Sequence, residues 1–355
     1  MSFIEKIDPN FQVGATLGRN DLHFYPVEQP PFSVHGLMRE DGQFVRMPKK
    51  VAETVNDGVA ALYKHTAGGR VRFATDASSI AISVTYGEIS RMSHFTLTGC
   101  AGFDLYADGR YIKTYIPPYD VQTHFESVLP IPGEPAMRQI TLEFPAYSGV
   151  KSLSVGLPQG CRLEAAKPYL HVLPVVYYGS SITQGGCASR PGNTYQAILA
   201  RELDTDYLNL GFSGNAKGEV AMARYIASLP MRVFVMDYDH NAPNAEHLKA
   251  THEPFFQIIR EKQPDLPVIF ISRPAAYLSD EEMRMREIIR TTWWNAVKAG
   301  DKRVTFIDGS TFFTGRGGDS CTVDACHPND LGFMAMATGI LPTLRRWIEI
   351  GEAKA

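Results

Sequence analysis

The chain has 355 residues, 44% apolar side chains and a formal net charge of −3, which fits a globular protein with two hydrophobic cores. This nearly balanced charge argues against nucleic acid or an anionic membrane surface as the main partner. No stretch approaches the roughly 20 apolar residues of a membrane span, and residues 1–8 lack the pattern of a signal peptide, so a cytoplasmic location is expected.

The N-terminal part of the sequence, residues 1–170, predicts a β-rich domain. Apolar and β-branched runs predict strands at 71–74, 80–84, 103–106, 111–115, 137–144 and 153–157. Between two of these runs, Asp108-Gly109 predicts a tight hairpin, because both residues tolerate positive φ. Strands at this spacing favour a jelly-roll-like β-sandwich. Residues 1–50, rich in Pro and Phe, are expected to form an extended segment with little regular structure.

From residue 171 to 355 the pattern changes to alternating strands and helices, which predicts an α/β domain. The predicted strands are 172–178, 206–210, 233–237, 268–272 and 304–308. The predicted helices lie near 194–203, 218–228, 246–262, 281–299 and 331–349. Such an order favours a five-stranded parallel sheet covered on both faces, in a flavodoxin-like three-layer α/β/α arrangement.

Four short segments of the second domain carry side chains suited to ester hydrolysis. They begin, in chain order, at Gly179, Asn209, Asp237 and Asp324, and a predicted strand leads into each of the first three. Ligands of open α/β sheets bind beyond the carboxyl ends of the strands. We therefore expect the four segments to meet at one edge of the sheet.

Each segment supplies one part of a nucleophilic site. Ser181 comes just after Gly179, where the backbone can turn sharply and expose the hydroxyl. Asp324 stands three residues before His327, so it can hold one imidazole nitrogen while the other acts as a general base. The N–H of a glycine in the second segment and an asparagine amide in the third can donate to a developing oxyanion.

These segments resemble the SGNH hydrolase superfamily, also called GDSL esterases. The resemblance implies Ser181 as the nucleophile, His327 as the base and Asp324 as its orienting acid. It also implies an oxyanion hole formed by Ser181, Gly214 and Asn241. The sequence departs from the usual pattern at two places, with Ser180 in place of Asp and Asp239-His240-Asn241 in place of Gly-x-Asn.

A further segment, Gly102-Phe103-Asp104-Leu105-Tyr106, is similar to the Gly-x-Asp-Leu-Tyr signature of a domain that precedes one subgroup of SGNH-type esterases. Five residues alone would also fit an ordinary strand that enters a turn. The order, with this signature first and the catalytic segments after it, extends the resemblance over nearly the whole chain.

The resemblance implies a serine esterase that acts on short acyl esters, with acetyl esters of a carbohydrate or another polar small molecule as the expected substrate. The mechanism requires no metal and no organic cofactor. An acyltransferase with the same acyl-enzyme, and a carbohydrate-binding protein with an inactive esterase half, are the alternatives. The sequence leaves open whether the chain forms a homo-oligomer.

Several other residues have two interpretations. Arg273, Arg190 and Tyr277 follow predicted strands or the nucleophile segment and are candidate substrate-binding residues, although surface or packing roles fit them equally well. Ser181, Gly214 and Asn241 would each also fit an ordinary turn or helix start if they stood alone.

The five cysteines are Cys100, Cys161, Cys187, Cys321 and Cys326. They are odd in number and show no Cys-x-x-Cys spacing, so neither a disulfide framework nor a zinc site is expected. Cys326, next to His327, is a minor alternative to the serine nucleophile.

Overall fold

The computed structural model of the protein describes residues 4, 7–8, 14, 16–315 and 317–352. The strands in this part of the chain are β1 (Leu22–Pro26), β2 (Ser33–His35), β3 (Met38–Glu40), β4 (Gln43–Val45), β5 (Arg70–Thr75), β6 (Ser79–Ile89), β7 (Phe103–Ala107), β8 (Arg110–Tyr115), β9 (His124–Pro130), β10 (Arg138–Glu143), β11 (Ser148–Pro158), β12 (Leu163–Glu164), β13 (His171–Gly179), β14 (Thr205–Gly211), β15 (Val233–Asp237), β16 (Val268–Ile271) and β17 (Val304–Ile307).

The α-helices are α1 (Lys49–Val55), α2 (Asp57–Leu62), α3 (Leu97–Ala101), α4 (Ser181–Gln184), α5 (Tyr195–Leu203), α6 (Val220–Ala227), α7 (Ala245–Lys262), α8 (Asp280–Lys298) and α9 (Asp330–Glu352). Short 3₁₀ helices cover Pro191–Asn193, Asp239–Asn241, Gly309–Thr311 and Gly318–Cys321. None of the described helices is both long enough and apolar enough to cross a membrane.

Two large antiparallel sheets, together with the small β3–β4 hairpin, account for the strands of the N-terminal half. One has the strand order β1-β11-β6-β9 and the other β12-β5-β10-β7-β8, with β2 also paired to β5. Apolar side chains from both sheets, among them Phe73 and Ile82, belong to one buried hydrophobic cluster. The strand-rich N-terminal prediction is therefore confirmed. The predicted hairpin is confirmed as well, since Asp108 and Gly109 join β7 to β8 with φ of 50° and 75°.

The expectation of little regular structure in residues 1–50 is wrong from residue 22 onward. β1 pairs with β11, β3 and β4 form a hairpin, and α1 begins at Lys49. These strands are short, and β1 and β2 obtain their hydrogen bonds from strands far along the chain, so local periodicity does not reveal them. Most of the expected segment before residue 16 lies outside the described residues.

The C-terminal half contains one parallel sheet with the order β14-β13-β15-β16-β17, which confirms the α/β class. Successive side chains of β13 point to opposite faces of the sheet. Val176 and Tyr178 pack in a cluster with α6, α7 and α8, whereas Val175 and Tyr177 pack in another with α5 and α9. The two faces of β13 therefore pack with different sets of helices, and loops follow the ends of the strands.

Residues 45–63 of the N-terminal half pack on the parallel sheet. Val45, Met47, Val59 and Tyr63 are at most 3% exposed and share a cluster with side chains of β13 to β16. The buried guanidinium of Arg46 donates to the backbone carbonyls of two residues near the end of β14. The division into domains 1–170 and 171–355 stays a prediction, and the two parts share this core.

Candidate active site

The sharp turn after β13 places Ser181 at the start of α4. A Cβ on Gly179 would lie 2.1 Å from the backbone oxygen of Asp237, so this strand end requires glycine. Ser180 is the N-cap of α4, and its hydroxyl accepts a hydrogen bond from the Ile182 N–H at 3.1 Å. The Ser180 hydroxyl is therefore engaged in the cap, which leaves Ser181 as the serine that faces the histidine.

Asp324, His327 and Ser181 form a continuous hydrogen-bonded line. The Ser181 Oγ lies 2.9 Å from His327 Nε2, and His327 Nδ1 lies 2.8 Å from Asp324 Oδ2. A proton on Nδ1 satisfies the carboxylate, so the network assigns to Nε2 the lone pair that faces the hydroxyl. This is the geometry by which an imidazole can accept a proton from a serine.

Asp324 is held as an anion. Burial alone would raise the pKa of its carboxyl, but hydrogen bonds from the His327 backbone N–H, the His327 ring and the Cys326 N–H outweigh burial and hold the pKa below its usual range. The two backbone N–H groups lie 2.7 and 3.1 Å from Oδ1. An ionised carboxylate at this position can stabilise the imidazolium that forms when His327 takes a proton.

Hydrogen-bond donors at the neighbouring strand ends have no acceptor among the described residues. Gly214 has φ of 71°, and its backbone N–H donates to no acceptor among the described residues. The Asn241 Oδ1 accepts the Ala216 N–H at 3.2 Å, an orientation that leaves the Asn241 Nδ2 without an acceptor in the same part of the chain. The Ser181 N–H lies in the first turn of α4, where a helix offers no partner. The role of these groups in an oxyanion hole stays a prediction.

The Gly-x-Asp-Leu-Tyr segment holds the loop that follows the nucleophile. Asp104, fully buried, accepts hydrogen bonds from Arg190 Nη1 at 2.7 Å and from the Gly192 N–H at 2.8 Å. The Tyr106 hydroxyl lies 2.7 Å from the same arginine nitrogen. A Cβ on Gly192 would approach that hydroxyl to 2.1 Å, so the loop and the signature fit only with glycine at this position.

Other residues of the N-terminal half also reach the catalytic segments. The Tyr147 hydroxyl donates to the backbone carbonyl of Ser181 at 3.3 Å, and the His94 ring centroid lies 5.6 Å from that of His327. The Thr98 hydroxyl donates to the Ser189 carbonyl at 2.6 Å. None of these residues stands in a recognisable motif, so sequence reasoning had no signal for them.

Two family models match the chain. The GDSL-like lipase/acylhydrolase family matches residues 173–345, and the Gly-x-Asp-Leu-Tyr N-terminus of SGNH-type esterases matches residues 22–163. The chain belongs to the GDSL-type SGNH hydrolases. No curated protein matches the sequence.

Solved structures agree with this family. A protein from Bacteroides ovatus, assigned as a GDSL-like lipase, has 26% identity and a TM-score of 0.83 over 92% of this chain and 98% of that one. A salicylyl-acyltransferase from a tetracycline biosynthetic pathway has 21% identity and a TM-score of 0.74, with 95% and 99% covered. A family two carbohydrate esterase from Clostridium thermocellum has 14% identity and a TM-score of 0.62, with 90% and 98% covered. At these lower identities, the last two show a common fold alone.

Cys326 of this SGNH hydrolase is poorly suited to be the nucleophile. Burial raises the pKa of its thiol, and its Sγ lies 3.9 Å from His240 Nδ1. Burial also lowers the pKa of His240 well below its usual value, so this imidazole is neutral near pH 7 and gives little stabilisation to a thiolate. The geometry favours the serine over the cysteine.

Two of the three candidate substrate-binding residues, Arg190 and Arg273, have other partners in the structure. Arg190 binds Asp104, as described above, and the guanidinium of Arg273 binds Glu282. The Arg273 N–H also donates to Asp239 Oδ2 at 2.9 Å, which fixes the short helix that carries Asn241. Tyr277 is 87% exposed in the loop before α8. A substrate-binding role for these three residues stays a prediction, and the two arginines already have a structural one.

Asp104→Asn is expected to lower the free energy of unfolding by about 3–5 kcal/mol, because it removes the carboxylate partner of the partly buried Arg190. Urea unfolding followed by circular dichroism measures this change. The matched control is Asp76→Asn, since Asp76 pairs with the exposed Arg162 and solvent screens that pair. Equal midpoints for the two variants would show that the signature aspartate does not stabilise the loop.

Proposed function

We propose that the protein is a serine esterase that removes short acyl groups, acetyl in first place, from a carbohydrate or another polar small molecule. One observation carries the proposal, namely the hydrogen-bonded line from Ser181 Oγ through His327 to Asp324, with distances of 2.9 and 2.8 Å. The proposal takes residues 171–355 as a flavodoxin-like three-layer catalytic domain and residues 1–170 as a jelly-roll-like β-sandwich.

The proposed reaction has two halves. In the first, Ser181 Oγ attacks the ester carbonyl while His327 Nε2 accepts its proton, and the N–H groups of Ser181 and Gly214 and the Asn241 amide stabilise the oxyanion. The carbon–oxygen bond to the alcohol then breaks, and His327 protonates the alcohol as it leaves. In the second half, His327 takes a proton from water, and the water oxygen attacks the acyl-enzyme. The bond between the acyl carbon and Ser181 Oγ then breaks, His327 returns the proton to Oγ, and the acid is released.

The limited space beside Ser181 supports the proposal that the acyl group is small. A Cβ on Gly186 would lie 3.0 Å from the Tyr147 hydroxyl and 3.4 Å from His327 Cδ2, so backbone and aromatic side chains stand close to the histidine. A long acyl chain needs an extended apolar trench, and the connections that carry Gly214 and Asn241 are short, with eight residues between β14 and α6 and seven between β15 and α7. The carbohydrate part of the proposal is supported by the fold shared with family two carbohydrate esterases.

A series of p-nitrophenyl esters from acetate to octanoate tests this proposal, together with acetylated sugars. We expect the highest kcat/KM with acetate and propionate, because longer chains would leave apolar surface in water. Release of free acetate from an acetylated sugar, measured with and without an added alcohol acceptor, distinguishes hydrolysis from acyl transfer. A rate that rises steadily up to octanoate would contradict the short-chain assignment.

A further inference from the structure

Three side chains at the edge of the proposed active site form a group with the composition of a metal site. The donor atoms of His94, Cys187 and His327 all lie within 4.8 Å of one another. They come from three separate segments, namely the loop between β6 and α3, the loop after α4, and the Asp324–His327 loop. In the described part of the chain, no other set of His, Cys and carboxylate residues meets the same criterion.

His327 is already oriented as a metal ligand would be. Metal-binding histidines usually donate one ring N–H to a carboxylate, which fixes the ring and directs the other nitrogen to the ion. The bond from His327 Nδ1 to Asp324 Oδ2, at 2.8 Å, has this form. The contact that prepares Nε2 to accept a proton therefore also prepares it to bind a cation.

The other two ligands differ in mobility. Cys187 is 6% exposed and has φ of 72°, in a turn closed by the Ala188 N–H and the Gly185 carbonyl at 3.3 Å. This turn fixes the place of its backbone. His94 is exposed, so its ring can rotate toward an ion at little cost. Bonds of about 2.0–2.3 Å to nitrogen and sulfur require the three donor atoms to close by about 1 Å, which the exposed ring can supply.

The donor set selects the class of ion. Two imidazole nitrogens and one thiolate sulfur suit Zn²⁺ and related transition-metal ions, whereas Mg²⁺ and Ca²⁺ prefer oxygen ligands. Three protein ligands leave a fourth tetrahedral position for water or for the nearby Ser181 hydroxyl. Cysteine spacing alone did not predict this group, because its members are far apart in the sequence.

We propose that His94, Cys187 and His327 form an inhibitory site for a divalent transition-metal ion, Zn²⁺ in first place. The bound ion takes the lone pair of His327 Nε2, and the thiol proton passes to solvent. His327 then has no free nitrogen for the Ser181 proton, so the metal-bound enzyme does not form the acyl-enzyme. Metal binding is independent of the proposed function, and only the inhibition rests on it.

Binding is tested on the full-length protein by calorimetric titration with ZnCl₂ and by the thiolate-to-metal charge-transfer absorption of added Co²⁺. We expect one ion per chain. His94→Ala and Cys187→Ala should each weaken binding by about tenfold or more, and Cys187→Ala should also remove the cobalt–thiolate band. Cys161→Ala is the control, because this partly exposed cysteine lies outside the group and should change nothing. Ser181→Ala should still bind the ion.

Inhibition is tested with p-nitrophenyl acetate as substrate. ZnCl₂ should abolish hydrolysis and EDTA should restore it, whereas His94→Ala should require about ten times more Zn²⁺ for the same fractional inhibition of its own metal-free rate. Absence of binding, or binding that neither His94→Ala nor Cys187→Ala weakens, would overturn the site. Zinc binding with the expected mutational pattern in a protein that hydrolyses no ester would instead count against the proposed function.

Discussion

Ser181→Ala is expected to reduce kcat for p-nitrophenyl acetate by about 10⁶-fold, as loss of the nucleophile does in other triad enzymes. Its Oγ is the hydroxyl that His327 Nε2 contacts, at 2.9 Å, so the variant has no group that can form the acyl-enzyme. Alanine keeps the backbone N–H at this position and hence that part of the oxyanion site. Circular dichroism and the melting temperature should stay close to those of the wild-type protein.

The matched control is Ser180→Ala, which removes a hydroxyl one residue away. This hydroxyl caps the four-residue helix α4, so its loss should cost about 0.5–2 kcal/mol of stability and leave most of the activity. If Ser180→Ala were inactive and Ser181→Ala active, the assignment of the nucleophile would be wrong by one position. Activity in both variants would exclude the proposed mechanism.

Much of the fold can be predicted from the sequence because its strands are buried on both faces or alternate regularly. β15 is predicted as 233–237 and observed with the same bounds, since an apolar run ends there at Asp237. The sequence pattern does not predict β9, although this strand pairs with β6 over seven residues. Its sequence, His124–Pro130, mixes polar and apolar side chains, and its conformation depends on a partner strand distant in the chain.

The candidate site, like the fold, can be predicted from the sequence only in part. Ser181 and the Asp324–His327 pair could be named in advance because short motifs place them at strand ends, where parallel topology brings loops together. The residues that surround them could not be predicted in this way. Position at the rim marked Arg190 as near the site, but the structure pairs it with Asp104, which lies 86 residues earlier in the chain. Such pairings depend on how the two halves pack, and no local pattern encodes that.

A fragment that begins at residue 171 is expected not to fold, although it contains every proposed catalytic residue. It lacks Val45, Met47, Val59 and Tyr63, which fill the core on one face of the parallel sheet. Burial of one such side chain is worth about 1.5–3 kcal/mol, so loss of the whole set removes free energy comparable with the total stability of a domain, about 5–15 kcal/mol. Circular dichroism, the cooperativity of urea unfolding and the rate on p-nitrophenyl acetate measure the outcome.

The control for this dissection is co-expression of residues 1–170 and 171–355 as two separate chains. That arrangement keeps the core contacts of residues 45–63 and the hydrogen bonds from Arg46 to the end of β14, and removes only the covalent link. We expect the pair to co-purify and to hydrolyse p-nitrophenyl acetate. A fragment 171–355 that alone unfolds cooperatively and hydrolyses the ester at the full-length rate would instead show that α1 and α2 are dispensable. The β-rich half would then be needed for larger substrates only.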